Sequence, residues 1–287
     1  MLPEHLRHPA GRRLFVSFVY FVVETADCVC SEFPLDTAHK FAHSLAMSVL
    51  LTKPSSDRPR ALRPLQNGDH LTGAEFLRRY EAMPHLKKAE LIEGIVYMGS
   101  PVRYHSHGMP DGLVQTWLGT YSVHTPGIEF VSNTTAQLDI DNVPQPDALL
   151  RISEECGGQS SVDAQDYLAG APELVVEVAA SSASIDTREK QRAYRRNGVR
   201  EYLIWLVEER EIRCQRLFEG EYQIIPLDKS GVFKSDVFPG LWLDTKAALA
   251  LDAAAVLRTL NTGLRSRVHR DFVARLAANR SARRKKS

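Results

Sequence analysis

The hexapeptide Leu174-Val-Val-Glu-Val-Ala179 constrains the fold of this chain more than any other segment. A short, continuous apolar run predicts a strand covered on both faces, as in the centre of a sheet. Glu177 stands in the middle of it. An isolated ionised carboxylate in that setting is costly, so it needs a cation, a hydrogen-bond network or a raised pKa. The neighbouring segments alternate between helical and strand patterns. Thr72 can cap a helix from Glu75 to Met83, and Leu91–Met98 predicts a strand or tight hairpin. A helix over Gly112–Tyr121 is followed by strands at Ile128–Val131, Thr135–Ile140 and Ala148–Ile152. After the central strand come a helix over Ile185–Asn197, strands at Val199–Val207, Glu211–Phe218 and Tyr222–Leu227, and a helix over Lys246–Leu260. Glu219-Gly220 is a hairpin signal. This order predicts an α/β fold: a mixed central β-sheet flanked by helices.

Composition adds exclusions. The 287 residues carry a formal net charge of +1, so no global charge draws the chain to nucleic acid. The four cysteines show no Cys-x-x-Cys pair and no zinc-site spacing, which favours reduced thiols and a cytoplasmic protein. The apolar run Leu14–Val23 is too short for a membrane span. It is followed at once by Glu24 and Asp27, which favours an unstructured extension over an export signal, with Met47 an alternative start. Lys53–Asn67 is rich in Pro, Ser and Arg, as linkers are. The expected organisation is a poorly ordered extension and linker over 1–66, one domain over 67–262 and a basic tail over 263–287, disordered from Asn279.

The candidate chemistry gathers around Glu177. Asp147 follows Pro146 at the start of a short strand, and two carboxylates on neighbouring strand ends make an oxygen-ligand pair suited to Mg²⁺. Asp186, Lys190 and Tyr194 recur at i, i+4 and i+8 on the next helix, so they share a face. If that face meets the central strand, the Lys190 ammonium can position water or neutralise charge on a phosphate.

Pro146-Asp147 followed by Glu177 in an apolar strand is similar to the PD-(D/E)XK nuclease signature. Ala89-Glu-Leu-Ile-Glu-Gly94, Gln145-Pro-Asp147, Pro172-Glu-Leu-Val-Val-Glu-Val178, Lys190 with Tyr194, Gly198-Val-Arg-Glu-Tyr202 and Phe238-Pro-Gly-Leu-Trp-Leu243 follow in order. Together, over Leu71–Asp252, they resemble the Uma-two family of restriction-endonuclease-like proteins. The resemblance implies a restriction-endonuclease-like fold, Asp147 and Glu177 as metal-binding carboxylates, Glu90 completing the metal site, and Lys190 as the catalytic lysine. Ala179 stands where the superfamily's simple motif places lysine, so Lys190 is a migrated equivalent. It further implies a Mg²⁺-dependent endonuclease, with Mn²⁺ as a substitute ion, acting on phosphodiester bonds of nucleic acid, DNA first. A homodimer would allow both strands to be cut. The alternative is a nuclease fold that binds nucleic acid or a protein partner without cleaving.

Plainer readings stand beside each assignment. Glu177 can be neutralised by Arg188 or Arg192; Asp147 can be a turn residue; Glu90 can be a surface charge. Lys190 can be a solvated partner of Asp186. Tyr194 packs against the sheet in the plain reading, and His105 and His107 are peripheral loop residues. Ser181, Ser182 and Ser184 read as helix caps, since no nucleophile elbow surrounds them. The basic tail can steer DNA through phosphate contacts or simply solubilise.

Overall fold

The Thr72 hydroxyl accepts a hydrogen bond from the Glu75 backbone N–H at 3.5 Å, and the first helix starts there. The structure is a computed structural model that describes residues 62–180 and 183–285. The chain divides into two units, Met1–Asp57 and Arg58–Ser287, and all described residues lie in the second. The expectations for the extension and for Ser181 and Ser182 fall outside the described residues.

In chain order the elements are α1 (Gly73–Glu81), β1 (Ala89–Ile92), β2 (Ile95–Met98), a π-helical turn (Tyr104–Gly108), α2 (Met109–Val123), β3 (Ile128–Ser132), β4 (Ala136–Gln137) and β5 (Ala148–Ile152). A 3₁₀ turn (Glu154–Cys156), β6 (Ser161–Val162), β7 (Leu168–Ala169), β8 (Leu174–Ala179), α3 (Ala183–Asp186), α4 (Glu189–Arg196) and β9 (Glu201–Leu206) follow. The chain continues with β10 (Glu211–Phe218), β11 (Glu221–Ile224), β12 (Val232–Lys234), β13 (Trp242–Asp244), α5 (Thr245–Leu249), α6 (Ala253–Leu264) and α7 (Arg267–Arg284).

The main sheet has six strands in the order β11-β10-β9-β8-β5-β3. β8 runs parallel to β9, and the other neighbours are antiparallel, so the sheet is mixed as expected. Every residue of β8 and β9 is buried. Leu174, Val176 and Val178 face one core with α2, α6 and α7. Val175 and Ala179 face the other, with Leu149 of β5 and Tyr194 of α4. Glu177 has the parity of this second face, which is why α4 can reach it. A third, smaller core joins Phe76 of α1 to Ala89, Leu91 and Val96 of the β1–β2 hairpin.

Local chemistry accounts for the turns. Glu93-Gly94 and Glu219-Gly220 close two-residue hairpins, and all four residues have positive φ. That combination matches the right-handed twist of the flanking strands. Gly263 answers a different need: a Cβ there would lie 2.2 Å from the Gly240 carbonyl oxygen and 2.8 Å from the Trp242 ring. Gly263→Ala is therefore expected to cost about 2–3 kcal/mol by overpacking α6 against the β13 approach. Urea denaturation measures it, and an unchanged midpoint would refute the close fit.

Several expected elements come out differently. The helix expected over Ile185–Asn197 is broken into α3 and α4, and the break falls where the Tyr202 hydroxyl donates to the Asp186 carbonyl at 2.9 Å. The helix over Lys246–Leu260 is split at Leu251, whose φ is 57°, and Asp252 caps the second piece. The strand expected over Thr135–Ile140 shrinks to β4, which pairs with β7. The largest correction concerns the tail. Ser266 caps an 18-residue helix that runs through Asn279 to Arg284. Phe272 and Leu276 are buried, and Asn279 donates to the Cys156 carbonyl at 3.1 Å. Two apolar anchors, Phe272 and Leu276, hidden among arginines outweigh the composition that reads as disorder.

Glu201 fastens β9 to the turn before β13. Its carboxylate accepts from the Ser235 hydroxyl at 2.5 Å and from the backbone N–H groups of Asp236 (2.8 Å) and Val237 (3.2 Å). Burial pushes this carboxyl up to about 7, against those hydrogen bonds. The folded chain thus holds the proton more tightly than the unfolded chain, so the contribution to stability is full below about 4.5 and lost as pH rises towards 7. Glu201→Gln lacks that titration. The stability of wild type relative to Glu201→Gln is expected to fall by on the order of 2 kcal/mol between pH 4.5 and 7.5. Urea melts at the two pH values giving the same difference would refute it.

Among the described residues no helix is long and apolar enough to cross a membrane.

Candidate active site

Four of the expected site residues converge, on four different elements. Asp147 precedes the first residue of β5, Glu177 sits mid-way along β8, Glu90 is in β1 and Lys190 is in the first turn of α4. All four are nearly excluded from water, at 8% exposure or less. Pairing between β5 and β8 ends at Ala148 opposite Val176, so the next step brings Asp147 abreast of Glu177 on one face of the sheet.

Lys190 is the hub. Its Nζ lies 2.9 Å from Glu90 Oε1, 3.0 Å from Glu177 Oε1 and 3.4 Å from Asp186 Oδ1. Burial works against the ammonium, but the charges of Glu177, Glu90 and Asp186 outweigh it and hold Lys190 well above its ordinary value. Glu177 also accepts from the Tyr194 hydroxyl at 2.8 Å. Burial pushes the Glu177 carboxyl up, with Lys190 opposing. Glu90 accepts from the Gln145 backbone N–H at 2.7 Å, which ties β1 to the strand approach that carries Asp147.

Asp147 has its own cation. Lys88 Nζ reaches Asp147 Oδ1 at 2.9 Å, while the Val178 backbone N–H donates to Oδ2 at 2.9 Å. Burial alone would raise this carboxyl, yet Lys88 and Lys190 bring it below the usual carboxylate range. His107, in the π-helical turn, places Nδ1 3.0 Å from the Val178 carbonyl and Nε2 3.8 Å from Asp147 Oδ1.

The plain readings of these residues resolve unevenly. Glu177 meets Lys190 and Tyr194, whereas Arg192 pairs with Glu189 on the exposed side of α4. Lys190 does pair with Asp186, but both are buried. Tyr194 both packs on the sheet, 5.0 Å from the Tyr202 ring, and bonds Glu177. Sequence reasoning missed Lys88, and it used Asp186 only as a neighbour of Lys190. The signal for Lys88 was available: it lies two residues before Glu90, next to a strand that carries a buried acid. His107, read as peripheral, stands in the cluster, while His105 turns to Tyr104 at an exposed edge.

The carboxylate oxygens of Glu90, Asp147 and Glu177 are donors that suit a hard divalent cation. Four buried carboxylates (Glu90, Asp147, Glu177, Asp186) gather there with two ammonium groups (Lys88, Lys190). Among the described residues, no three His, Cys, Asp or Glu side chains stand in an arrangement that holds a metal, because the carboxylates close on the lysines instead.

A model of the Uma2 family, described as "Putative restriction endonuclease", matches residues 74–246. The chain belongs to the Uma2 family. The resemblance carried by the sequence motifs is thereby confirmed. The Uma2 span includes Lys88, Glu90, His107, Asp147, Glu177 and Lys190, and it ends before α6 and α7. The structure is also similar to a solved protein of Anabaena variabilis ATCC 29413 described as "a putative nuclease belonging to DUF820". Identity is 13%, with 61% of this chain and 97% of that one covered at a TM-score of 0.46. No curated protein matches the chain.

Proposed function

We propose that this Uma2 protein is a metal-dependent endonuclease that hydrolyses phosphodiester bonds of nucleic acid, DNA foremost, with Mg²⁺ as its ion and Mn²⁺ as a substitute. The observation that supports the reading is the convergence of Glu90, Asp147 and Glu177 with Lys190 in one buried cluster. Asp147, Glu177 and Glu90 would hold the ion. When bound, it would polarise the scissile phosphate and lower the pKa of a coordinated water. The protein's own groups supply the rest. Lys190 holds the acids together and offers positive charge where the phosphate gains negative charge. Lys88, with its side chain 31% exposed, can leave Asp147 to meet an incoming phosphate oxygen. Tyr194 and the Val178 N–H fix the two strand carboxylates. Two copies acting together would serve both strands of a duplex.

Cleavage of labelled duplex, nicked and single-stranded DNA is expected with millimolar Mg²⁺ or Mn²⁺ and none after chelation with EDTA. Equal cleavage in EDTA would overturn the metal dependence. The closing of Lys190 on three acids favours one other reading, a Uma2 fold that binds nucleic acid or protein without cutting it. Calorimetry that detects DNA binding but no metal binding by the folded protein would establish that reading instead.

A further inference from the structure

We propose that His107 is a nitrogen ligand for the divalent cation of this site, and that the substitute ion Mn²⁺ is consequently held there more tightly than Mg²⁺. The inference rests on the metal-dependent reading above and deepens it.

The argument starts from the backbone of β8. Beyond Val176, β5 no longer pairs with β8, so main-chain groups on that edge need other partners. Val178 finds two. Its N–H donates to Asp147 Oδ2 at 2.9 Å, and its C=O meets His107 Nδ1 at 3.0 Å. One residue of the central strand thus orients both side chains. A carbonyl oxygen only accepts, so Nδ1 must carry the proton of this hydrogen bond. In the neutral ring Nε2 then presents a lone pair. A backbone carbonyl that fixes the tautomer from behind is the usual support of a metal-binding imidazole.

Nε2 faces Asp147 Oδ1 at 3.8 Å. That is too long for a hydrogen bond. Lys88 sits on that oxygen here, and a divalent ion that took its place would be within reach of both side chains. Ligand atoms each about 2.1 Å from one ion stand at most about 4.2 Å apart, and 3.8 Å falls inside that bound. Asp111 adds to the demand for positive charge. It follows His107 by one helical turn, and its Oδ1 is buried without a hydrogen-bond partner among the described residues. The π-helical turn Tyr104–Gly108 is what sets His107 at this spot, and such widened turns often mark functional sites. An imidazole among carboxylates shifts preference towards ions that accept nitrogen, because Mg²⁺ selects oxygen.

The test uses the full chain stripped of metal and titrated with Mn²⁺ or Mg²⁺ alone. Wild type is expected to bind Mn²⁺ at least tenfold more tightly than Mg²⁺. His107→Ala is expected to lose about tenfold or more of its Mn²⁺ affinity, with Mg²⁺ affinity changed less than threefold. Pulsed EPR of bound Mn²⁺ should show nitrogen coupling that switches isotope when the histidines carry ¹⁵N. That readout needs no variant, and the coupling should vanish in His107→Ala. Mn²⁺ bound without nitrogen coupling, or with unchanged affinity in His107→Ala, overturns the role of His107 and leaves the metal-dependent reading intact. A folded wild type that binds neither ion overturns both.

Discussion

Glu177→Gln and Asp147→Asn are each expected to lower DNA cleavage by about a thousandfold while leaving the protein folded. Each change keeps shape and removes one negative charge. Asparagine at 147 still offers an oxygen to the Val178 N–H, and Lys88 is exposed enough to turn to solvent. Glutamine at 177 still accepts from Tyr194, and Lys190 keeps Glu90 and Asp186. The fold therefore has alternatives, whereas a divalent ion loses one of its few charged oxygens. Removing a single preorganised charge contact commonly costs about 3–4 kcal/mol of transition-state stabilisation, which is the stated loss. Initial rates on labelled DNA, with circular dichroism as the folding check, measure it. If both variants cut at the wild-type rate, the assigned site is wrong.

Lys190→Met should show the largest effect on stability, roughly 3–5 kcal/mol in the absence of metal. The ammonium is buried and meets three carboxylates, so its removal strands their charge in a poorly solvated pocket. Lys190→Arg is not expected to restore the loss, because a planar fork cannot replace a compact point charge at the centre of three acids. The destabilisation should shrink when Mg²⁺ or Mn²⁺ is added, since an ion can neutralise the same oxygens. Urea melts with and without metal give both numbers. A Lys190→Met protein as stable as wild type would show that the acids do not depend on this lysine.

The central strand was legible because Leu174–Ala179 is apolar on both faces, and the structure buries every residue of it. The convergence of Glu90, Asp147, Glu177 and Lys190 was legible only through ordered motifs, because no local rule brings β1 to α4. The Glu93-Gly94 and Glu219-Gly220 turns could be read from residue chemistry alone. Other features depended on distant partners. Lys88 looks like any surface lysine until Asp147, 59 residues away, stands beside it. His107 looks like a loop residue until β5 stops short and leaves the Val178 carbonyl to it. The last helix hides its anchors among arginines, so composition outvoted periodicity.

Arg280 and Arg283 of α7 grip the 3₁₀ turn that follows β5, through the Glu155 carboxylate and the Glu154 carbonyl, while Asp147 lies at the opposite end of the same strand. The five residues of β5 span about 17 Å, so α7 braces this strand at the end away from the acids.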